Sequence, residues 1–456
     1  MAARAVRGII GSTMGTRLAH LWDTLSSSYW FIPTLMLLAA TGLAGATLAI
    51  DTVVAEDNGG RWFYAGGAEG ARTLLSAVGG SVITVAGVVF SITIAALTQA
   101  SSQFGPRLLR NFMRDAGNQV TLGTFVATFL YCVLILRSIP GGEEAKVPHV
   151  SVTTAVVLAV ASLGVLVFFI HHVSFSIQAP QVVATVWTEL CDSVGHVYPA
   201  TVGRDGPPAG DAYRNTARRR TLPAPRSGYV QAVAGDTLMA VAGEHNLCIQ
   251  VLHRPGKFVI EGTPLGELWG ADEIGDDTMK ALADAFIIGR HRTPEQDVEY
   301  MLDQMVEIAV RALSPGINDP FTAISCVNWL GEALCRLGRR GLPTPARYDD
   351  RGTLRVVTDA PDFAGVVDTA IDQIRQYGRK SAPVVIRLLE VIAAVGPCLH
   401  EESHRAALRE QAQMIARDIE QLPVEPDRAD ATRRYNDAIA ALAAAPAPSP
   451  PGRGVG

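Results

Sequence analysis

The sequence predicts a membrane α-helical domain of four transmembrane helices, followed by a cytoplasmic α+β domain with a small β-barrel or β-sandwich and a helical subdomain. Four apolar stretches, at about residues 29–50, 73–98, 116–136 and 150–170, contain no charged side chain. Each reaches the roughly 20 residues that an α-helix needs to cross a hydrocarbon core about 30 Å thick. No comparable stretch follows residue 173. We therefore expect more than half of the chain to be soluble.

The same patterns divide the chain into six segments. We expect a cytoplasmic N-terminal segment at 1–28, a four-helix transmembrane domain at 29–175, a cytoplasmic connector and linker at 176–226, a small barrel-sandwich-like module at 227–270, a helical cytoplasmic subdomain at 271–445 and a disordered tail at 446–456. The linker is rich in Gly, Pro and Arg, and the tail is rich in Pro.

Charged residues between the apolar stretches predict the orientation. Arginine exceeds acidic residues in 1–28 and 99–115, whereas acidic residues exceed arginine in 51–72. Short loops rich in Lys and Arg stay on the cytoplasmic side, so both termini are expected there. The six cysteines include no C-x-x-C pair and no disulfide-like framework, which agrees with a reducing compartment. The formal net charge of −5 gives no indication of a nucleic-acid partner.

Small and hydroxyl side chains recur at helical spacing along the second apolar stretch. We call this set the small-residue stripe: Ser76, Gly80, Thr84, Gly87, Ser91, Ala95, Thr98 and Ser102. Such a face permits close packing of membrane helices. It can equally line a pore or solute pathway, whose uncharged polar mouth would bind a hydrated ion. The candidate pathway lining is Thr84, Gly87, Ser91, Thr98, Gln99, Ser102 and Gln103.

Asp, Glu, Lys and Arg are absent from all four apolar stretches. Proton-coupled carriers and pumps usually relay protons through such intramembrane groups, so the sequence counts against that class. His171 and His172 follow the fourth stretch, but adjacent helical residues point about 100° apart. We expect an interfacial role for them and no shared metal.

Short strands punctuated by glycine are predicted after the linker. Residues 227–231, 246–252, 255–259 and 261–265 follow this pattern. The order resembles the barrel-sandwich modules of the biotinyl and lipoyl type, which carry their cofactor on a lysine at a hairpin tip. The central segment, Asp236–Ala242, contains no lysine. We therefore predict the shape of such a module without a cofactor.

Helices are predicted for most of the remaining chain. Thr293 is expected to cap a helix with Pro294 in its first turn, and a second helix is expected to start at Pro320. Further helical patterns lie near 362–378, 381–395 and 403–420.

Four polar residues flank the first of these helices and form a candidate cytoplasmic polar site: Gln296, Asp297, Asn318 and Asp319. In one interpretation Asp319 is a helix N-cap and Asn318 relieves a tight turn. In the other, the oxygen atoms bind a cation or small ligand. No catalytic motif stands in a suitable context, and we assign no catalytic residue, metal or cofactor.

Two long runs resemble a known family. Residues 292–297 with 312–323, and residues 90–110, are similar to the signature of the DUF2254 family of uncharacterised bacterial predicted membrane proteins. The resemblance extends over roughly residues 20–420. It implies a bacterial inner (plasma) membrane setting and supplies no reaction.

These observations lead to two functional expectations. The first is a homo-oligomeric ion channel or pore-like transporter in the lipid bilayer, with a cytoplasmic gating domain. The alternative is a non-transporting membrane scaffold or sensor whose cytoplasmic domain binds a partner, an ion or a small ligand. A membrane-tethered enzyme would need turnover that depends on Asp297 or Asp319.

Overall fold

A computed structural model describes residues 30–54, 64, 66–105, 115–139, 147–194, 198–200, 202–210, 213–214, 219–270 and 274–445. The chain divides into two compact units, Met1–Gln181 and Val182–Gly456. The predicted N-terminal segment and the Pro-rich tail lie outside the described residues. Each unit is presented by itself.

The described residues of the first unit include four long apolar helices. They are α1 (Phe31–Val54), α2 (Ala68–Phe104), α3 (Ala116–Ser138) and α4 (His149–Ser176). All four are long and apolar enough to cross a membrane, which confirms the four predicted stretches. Helix α2, with 37 residues, is about 55 Å long at 1.5 Å per residue. A complete bilayer with its headgroups is about 40–45 Å thick, so α2 exceeds it by roughly 10 Å.

Helix α3 is the centre of this unit, because it packs against α1, α2 and α4. Half of its apolar window is buried, compared with 17–28% of the other three. Tyr131, Cys132 and Ile135 of α3 belong to a core shared with α1, α2 and α4. Phe125 of α3 belongs to a second core, which it shares with α2 and α4. The interior of the four-helix bundle is therefore filled by side chains.

The second unit alternates strands and helices before it becomes helical. Its elements are α5 (Ala179–Val194), β1 (Arg204–Asp205), β2 (Arg219–Pro223), β3 (Gly228–Val233), α6 (Gly235–Glu244), β4 (Cys248–Val251), β5 (Phe258–Val259), β6 (Pro264–Trp269), α7 (Asp276–Asp284), β7 (Phe286–Gly289), α8 (Val298–Ala312), α9 (Pro320–Arg340), β8 (Ala346–Tyr348), β9 (Leu354–Val357), α10 (Phe363–Gly378), α11 (Ala382–Val395), α12 (Glu402–Asp418) and α13 (Glu425–Ala443).

The strands form two sheets. One has six strands in the order β1-β8-β9-β4-β6-β2, and the other has three in the order β5-β3-β7. All pairs are antiparallel except the parallel pair of β4 and β9. Val230 and Ile288 of the small sheet share one hydrophobic core with Ile249 and Val356 of the large sheet. The described residues thus form a mixed sheet-and-helix domain.

The described strands do not close into the predicted barrel. Strands β3 and β5 pair in one sheet while β4 and β6 pair in the other. Residues 236–242, the expected centre of the module, lie in helix α6. Strands β7, β8 and β9 lie within 271–445, the segment that was expected to be helical. They complete the two sheets by pairing with strands distant in sequence, and this pairing satisfies their backbone N–H and C=O groups.

Helix α8 begins later than predicted. Its N-cap is Asp297, whose side chain accepts a hydrogen bond from Tyr300 N, so Thr293 is not the cap. The Thr293 hydroxyl instead donates to Gln231 O at 3.3 Å. One face of α8 faces the core, where Val298, Met301, Met305, Ile308 and Ala312 are all buried.

The expectation of no disulfide is wrong for one pair. Cys335 of α9 is bonded to Cys398, with their Cα atoms 5.6 Å apart. The two residues are separated by 63 positions in sequence, and only the packing of α9 against the 3-10 turn after α11 brings them together.

Candidate functional site

The small-residue stripe lies entirely on the exposed side of α2. All eight of its members are exposed in the described chain. Gly80 and Gly87 have no atom within 4 Å of where a Cβ would stand. The face of α2 that packs against the bundle contains other residues, including Ala86, Val89 and Thr93. Helix packing among the described residues of this unit therefore does not account for the stripe.

Hydroxyl groups in the stripe are satisfied by the helix itself. Thr84 and Ser91 donate to Gly80 O and Gly87 O, each at 2.8 Å. Thr98 donates in the same way to Ile94 O at 2.9 Å. Their oxygen atoms keep unused lone pairs. The surface is therefore polar and uncharged, and these three hydroxyl donors need no further acceptor.

The C-terminal end of α2 continues this polar surface beyond the apolar part of the helix. Thr98, Gln99, Ser102 and Gln103 are all exposed, and Ser102 donates to Gln99 O at 2.8 Å. The helix ends at Phe104, where Gly105 has φ 106° and its N–H bonds to Ser101 O. A glycine is required at that φ. All seven residues of the candidate pathway lining therefore share one continuous exposed surface.

A buried polar network joins the helices at one end of the bundle. The Asp51 carboxylate of α1 accepts hydrogen bonds from Val150 N at 2.8 Å, Ser151 N at 3.0 Å and the Ser151 hydroxyl at 2.6 Å. It thereby satisfies the first N–H groups of α4. Beside it, the Tyr131 hydroxyl lies 2.9 Å from the Thr47 hydroxyl and donates to Ser151 O. This network fixes α1 and α3 against the start of α4.

A hydrogen-bonded carboxylate–histidine pair occupies the other end of the bundle. The Asp115 carboxylate lies 2.7 Å from His172 Nε2 and also caps α3 by accepting from Gly117 N. His171 is exposed and stacks on Phe175, so the two histidines point apart, as predicted. Nearby in α3, Asn118 is 1% exposed, and its side-chain amide has no hydrogen-bond partner among the described residues.

Gln296 and Asp297 of the candidate polar site perform structural tasks. The Gln296 amide pairs with the Val233 backbone, with distances of 3.0 and 3.3 Å. Asp297 is 4% exposed and bonds to Arg292 at 2.8 and 2.9 Å. Burial raises the pKa of Asp297, and Arg292 offsets only part of this rise. At Gly256, a Cβ would lie 2.2 Å from an Asp297 oxygen, so the carboxylate occupies space that only glycine leaves open.

Asn318 and Asp319 lie at the opposite end of α8. Asn318 has φ 51°, and the Asp319 carboxylate accepts from Phe321 N and Thr322 N, each at 3.1 Å. These are the turn and cap roles that the sequence suggested. Helix α8 has 15 residues, about 22 Å, so the two pairs of polar residues do not meet in one site. Among the described residues, no group of three His, Cys, Asp or Glu side chains could hold a metal ion.

A surface cavity of about 440 Å³ in the second unit was not anticipated from the sequence. Its lining residues are Ala200, Gly203, Arg204, Asp236, Met239, Ala240, Tyr348, Asp349 and Asp350. Arg204 and Asp350 form an ion pair at 2.8 Å. The Arg355 guanidinium donates to Asp349 and lowers the pKa of that carboxyl. The lining comes from three separate parts of the chain, so no local motif identified it.

Sequence reasoning also missed the partners of two carboxylates. Asp51 was counted as a loop charge and Asp115 as a charge beside the third span. Asp115 directly precedes an apolar helix, which is a recognisable N-cap signal. For Asp51, the bonded Val150 N–H lies 99 residues away, and no local signal marks it.

Comparison with known proteins agrees with this architecture. A family model described as "Predicted membrane protein (DUF2254)" matches residues 26–394. Uncharacterized proteins of Mycobacterium bovis and Mycobacterium tuberculosis are each 33% identical over 437 residues, which covers 92% of this chain and 82% of each relative. No solved structure matches the chain.

Proposed function

This chain belongs to the DUF2254 family of predicted membrane proteins, and from that premise we propose that it forms an oligomeric ion channel or pore-like transporter. In this proposal it lies in a bacterial inner membrane with both termini in the cytoplasm, and the second unit is a gating domain. The observation that carries the proposal is the outward position of the small-residue stripe. From Ser76 to Ser102 the stripe extends about 39 Å at 1.5 Å per residue, the thickness of a bilayer.

The exposed side of α2 has two parts that differ in size and polarity. Large apolar side chains, including Val88, Phe90, Ile92 and Ile94, are exposed beside the stripe. Such side chains suit contact with lipid. Glycine, serine and threonine leave a shallow polar groove instead, into which a neighbouring helix or a hydrated solute fits.

A pathway through the bundle interior is not supported, because Phe125, Tyr131 and Phe169 fill it. We therefore assign the pathway to the space between copies, where α2 helices surround a common axis. The lining is free of charge, so a permeating ion meets hydroxyl and carbonyl oxygens and, at the mouth, the amides of Gln99 and Gln103. Partial replacement of ion hydration by such oxygens is the usual basis of selectivity.

The test measures ion flux through purified full-length protein in liposomes. The Gly87→Leu, Ser91→Leu double variant places two large side chains in the stripe. The matched control, Val88→Leu with Ile92→Leu, changes the next residue at each depth, about 100° around the helix. The proposal expects flux from the natural protein and from the control, and little or none from the stripe variant. Equal flux from the stripe variant, or no flux from assembled protein for any of several ions, would refute it.

The cavity beside Arg204 favours a second candidate function, a non-transporting membrane sensor or scaffold. Its volume, about 440 Å³, lies in the range of small-molecule sites. Carboxylates and a guanidinium line it together, so a polar ligand with both donor groups and acceptor groups would fit. This candidate expects a ligand to raise the unfolding temperature of the full-length protein, and expects Asp236→Asn with Tyr348→Ala to abolish that rise. A rise that survives both substitutions would exclude this cavity.

A further inference from the structure

The bonded cysteine pair occupies a corner of the helical region. Cys335 lies near the C-terminal end of α9, and Cys398 ends the 3-10 turn Gly396–Cys398. A Cβ at Gly338 would lie 2.1 Å from the Leu399 side chain, so α9 packs directly on this turn. The Arg405 guanidinium holds the same turn through Leu399 O at 3.0 Å and reaches Leu442 O at 3.3 Å. The pair therefore ties α9 to the corner on which the last two helices rest.

The two sulfur atoms have different surroundings. Cys335 is 7% exposed, whereas Cys398 is only partly buried. The Arg339 guanidinium donates to Cys398 Sγ at 3.3 Å. A guanidinium at that distance stabilises the negative charge of a thiolate and thereby promotes nucleophilic attack. Cys398 thus has the features of an attacking thiol, and Cys335 has those of a resolving thiol behind it.

The other cysteines in the described part of the second unit do not combine a neighbouring guanidinium with a disulfide partner. Burial raises the pKa of Cys248 to about 12 and that of Cys326 to about 12, so both remain protonated near neutral pH. Cys191 receives a hydrogen bond from Arg336 at 3.4 Å, but it takes part in no disulfide of the described chain. Cys191 with Arg336 is therefore a matched control for Cys398 with Arg339, because it has the guanidinium but no cysteine bonded to it.

We propose that Cys335 and Cys398 are a redox-active dithiol that a hydroperoxide oxidises and a thiol reductant restores, with Cys398 as the attacking residue. The proposal rests on the cytoplasmic placement of this unit in the proposed function, because disulfides there are usually transient. It does not depend on transport.

The chemistry balances in three steps. The Cys398 thiolate attacks the distal oxygen of ROOH, the O–O bond breaks, and Cys398–SOH forms with RO⁻, which takes a proton to become ROH. The Cys335 thiol then attacks the Cys398 sulfur, its proton and the hydroxyl leave as water, and the S–S bond forms. Two molecules of a reducing thiol RSH later cleave that bond, giving both cysteine thiols and RSSR.

The experiment uses full-length protein in detergent, reduced with a dithiol reagent and then treated with hydrogen peroxide. Intact mass should fall by two hydrogen atoms, and peptide mapping should join Cys335 to Cys398. In Cys335→Ser, a sulfenic-acid trapping reagent should label Cys398 strongly. In Cys398→Ser, Cys335 should remain unlabelled. Arg339→Gln should slow oxidation roughly tenfold, while Arg336→Gln should leave the rate at Cys398 unchanged.

Three outcomes would overturn the proposal. They are failure of the dithiol reagent to reduce the pair in folded protein, absence of the disulfide after peroxide, and trapping at Cys335 in place of Cys398. Size-exclusion profiles identify any variant that fails to fold, and the Arg339→Gln rate then decides, since both cysteines remain. Thiol trapping and the flux assay are separate measurements, so failure of one proposal is distinguishable from failure of the other.

Discussion

Two adjacent glycines in α2 allow the packed and exposed faces of the helix to be tested separately. A Cβ at Gly79 would lie 3.5 Å from Cys132 Cβ and 3.7 Å from Phe129 Cδ2, whereas a Cβ at Gly80 would meet nothing within 4 Å. We predict that Gly79→Leu destabilises the bundle and that Gly80→Leu does not. The two variants have the same chemistry at nearly the same depth.

The magnitude follows from two opposing terms. Replacing glycine by leucine in a helix gains roughly 0.5–1 kcal/mol in intrinsic propensity, and this gain is common to both variants. At Gly79, the carbon atoms beyond Cβ must enter space held by α3, and such overpacking costs about 1–3 kcal/mol. From the middle of these two ranges, Gly79→Leu should lose about 1 kcal/mol of unfolding free energy, with an upper bound of about 2.5 kcal/mol, and Gly80→Leu should be neutral or slightly stabilised.

The assay is unfolding by a denaturing detergent in mixed micelles, at protein concentrations where the midpoint no longer depends on concentration. Gly79→Ala is the control, because its Cβ makes only ordinary contacts, and it should not be destabilised. Equal destabilisation of Gly79→Leu and Gly80→Leu would refute the assigned orientation of α2. At higher concentration, Gly80→Leu should also weaken self-association, as the proposed function requires.

Three further predictions concern individual side chains. Asp51→Ala should lower the unfolding free energy by about 1–3 kcal/mol, because two N–H groups and a hydroxyl of α4 lose their acceptor. In the same detergent titration, replacement of the neighbouring exposed residue, Thr52→Ala, should change the unfolding free energy little. The pKa of Asp349 is lowered in the folded protein, so the stabilisation from its carboxylate is present above the usual aspartate pKa, about 3.9, and is lost as pH falls through the lower folded value. The unfolding free energy of Asp349→Asn should therefore differ from that of the natural protein at pH 7, and the two should converge in acid. A difference that stays constant with pH would contradict this. Cys248, whose pKa is raised to about 12, should resist alkylation at pH 7 until the protein is denatured, which mass spectrometry of labelled peptides measures directly.

The sequence predicted the four apolar helices well because the signals for such helices are local. An uncharged apolar run of about 20 residues has few stable conformations outside a membrane-spanning helix, and all four runs became α1 to α4. In one of the two interpretations of these residues, local backbone chemistry likewise suggested the Asp319 cap and a turn at Asn318, since both depend on groups within a few residues. The start of α8 was misplaced because Gln296 pairs with Val233, far away in sequence, and leaves the cap to Asp297.

By itself, then, the sequence determined the four apolar helices, the family and the existence of a stripe of small residues. Only the tertiary structure decided which way that stripe faces, which strands share a sheet, and which cysteines and carboxylates meet distant partners. The physical reason is that helical periodicity and capping depend on neighbouring residues. The direction of a face and the pairing of residues 63 or 99 positions apart depend on which surfaces exclude solvent together.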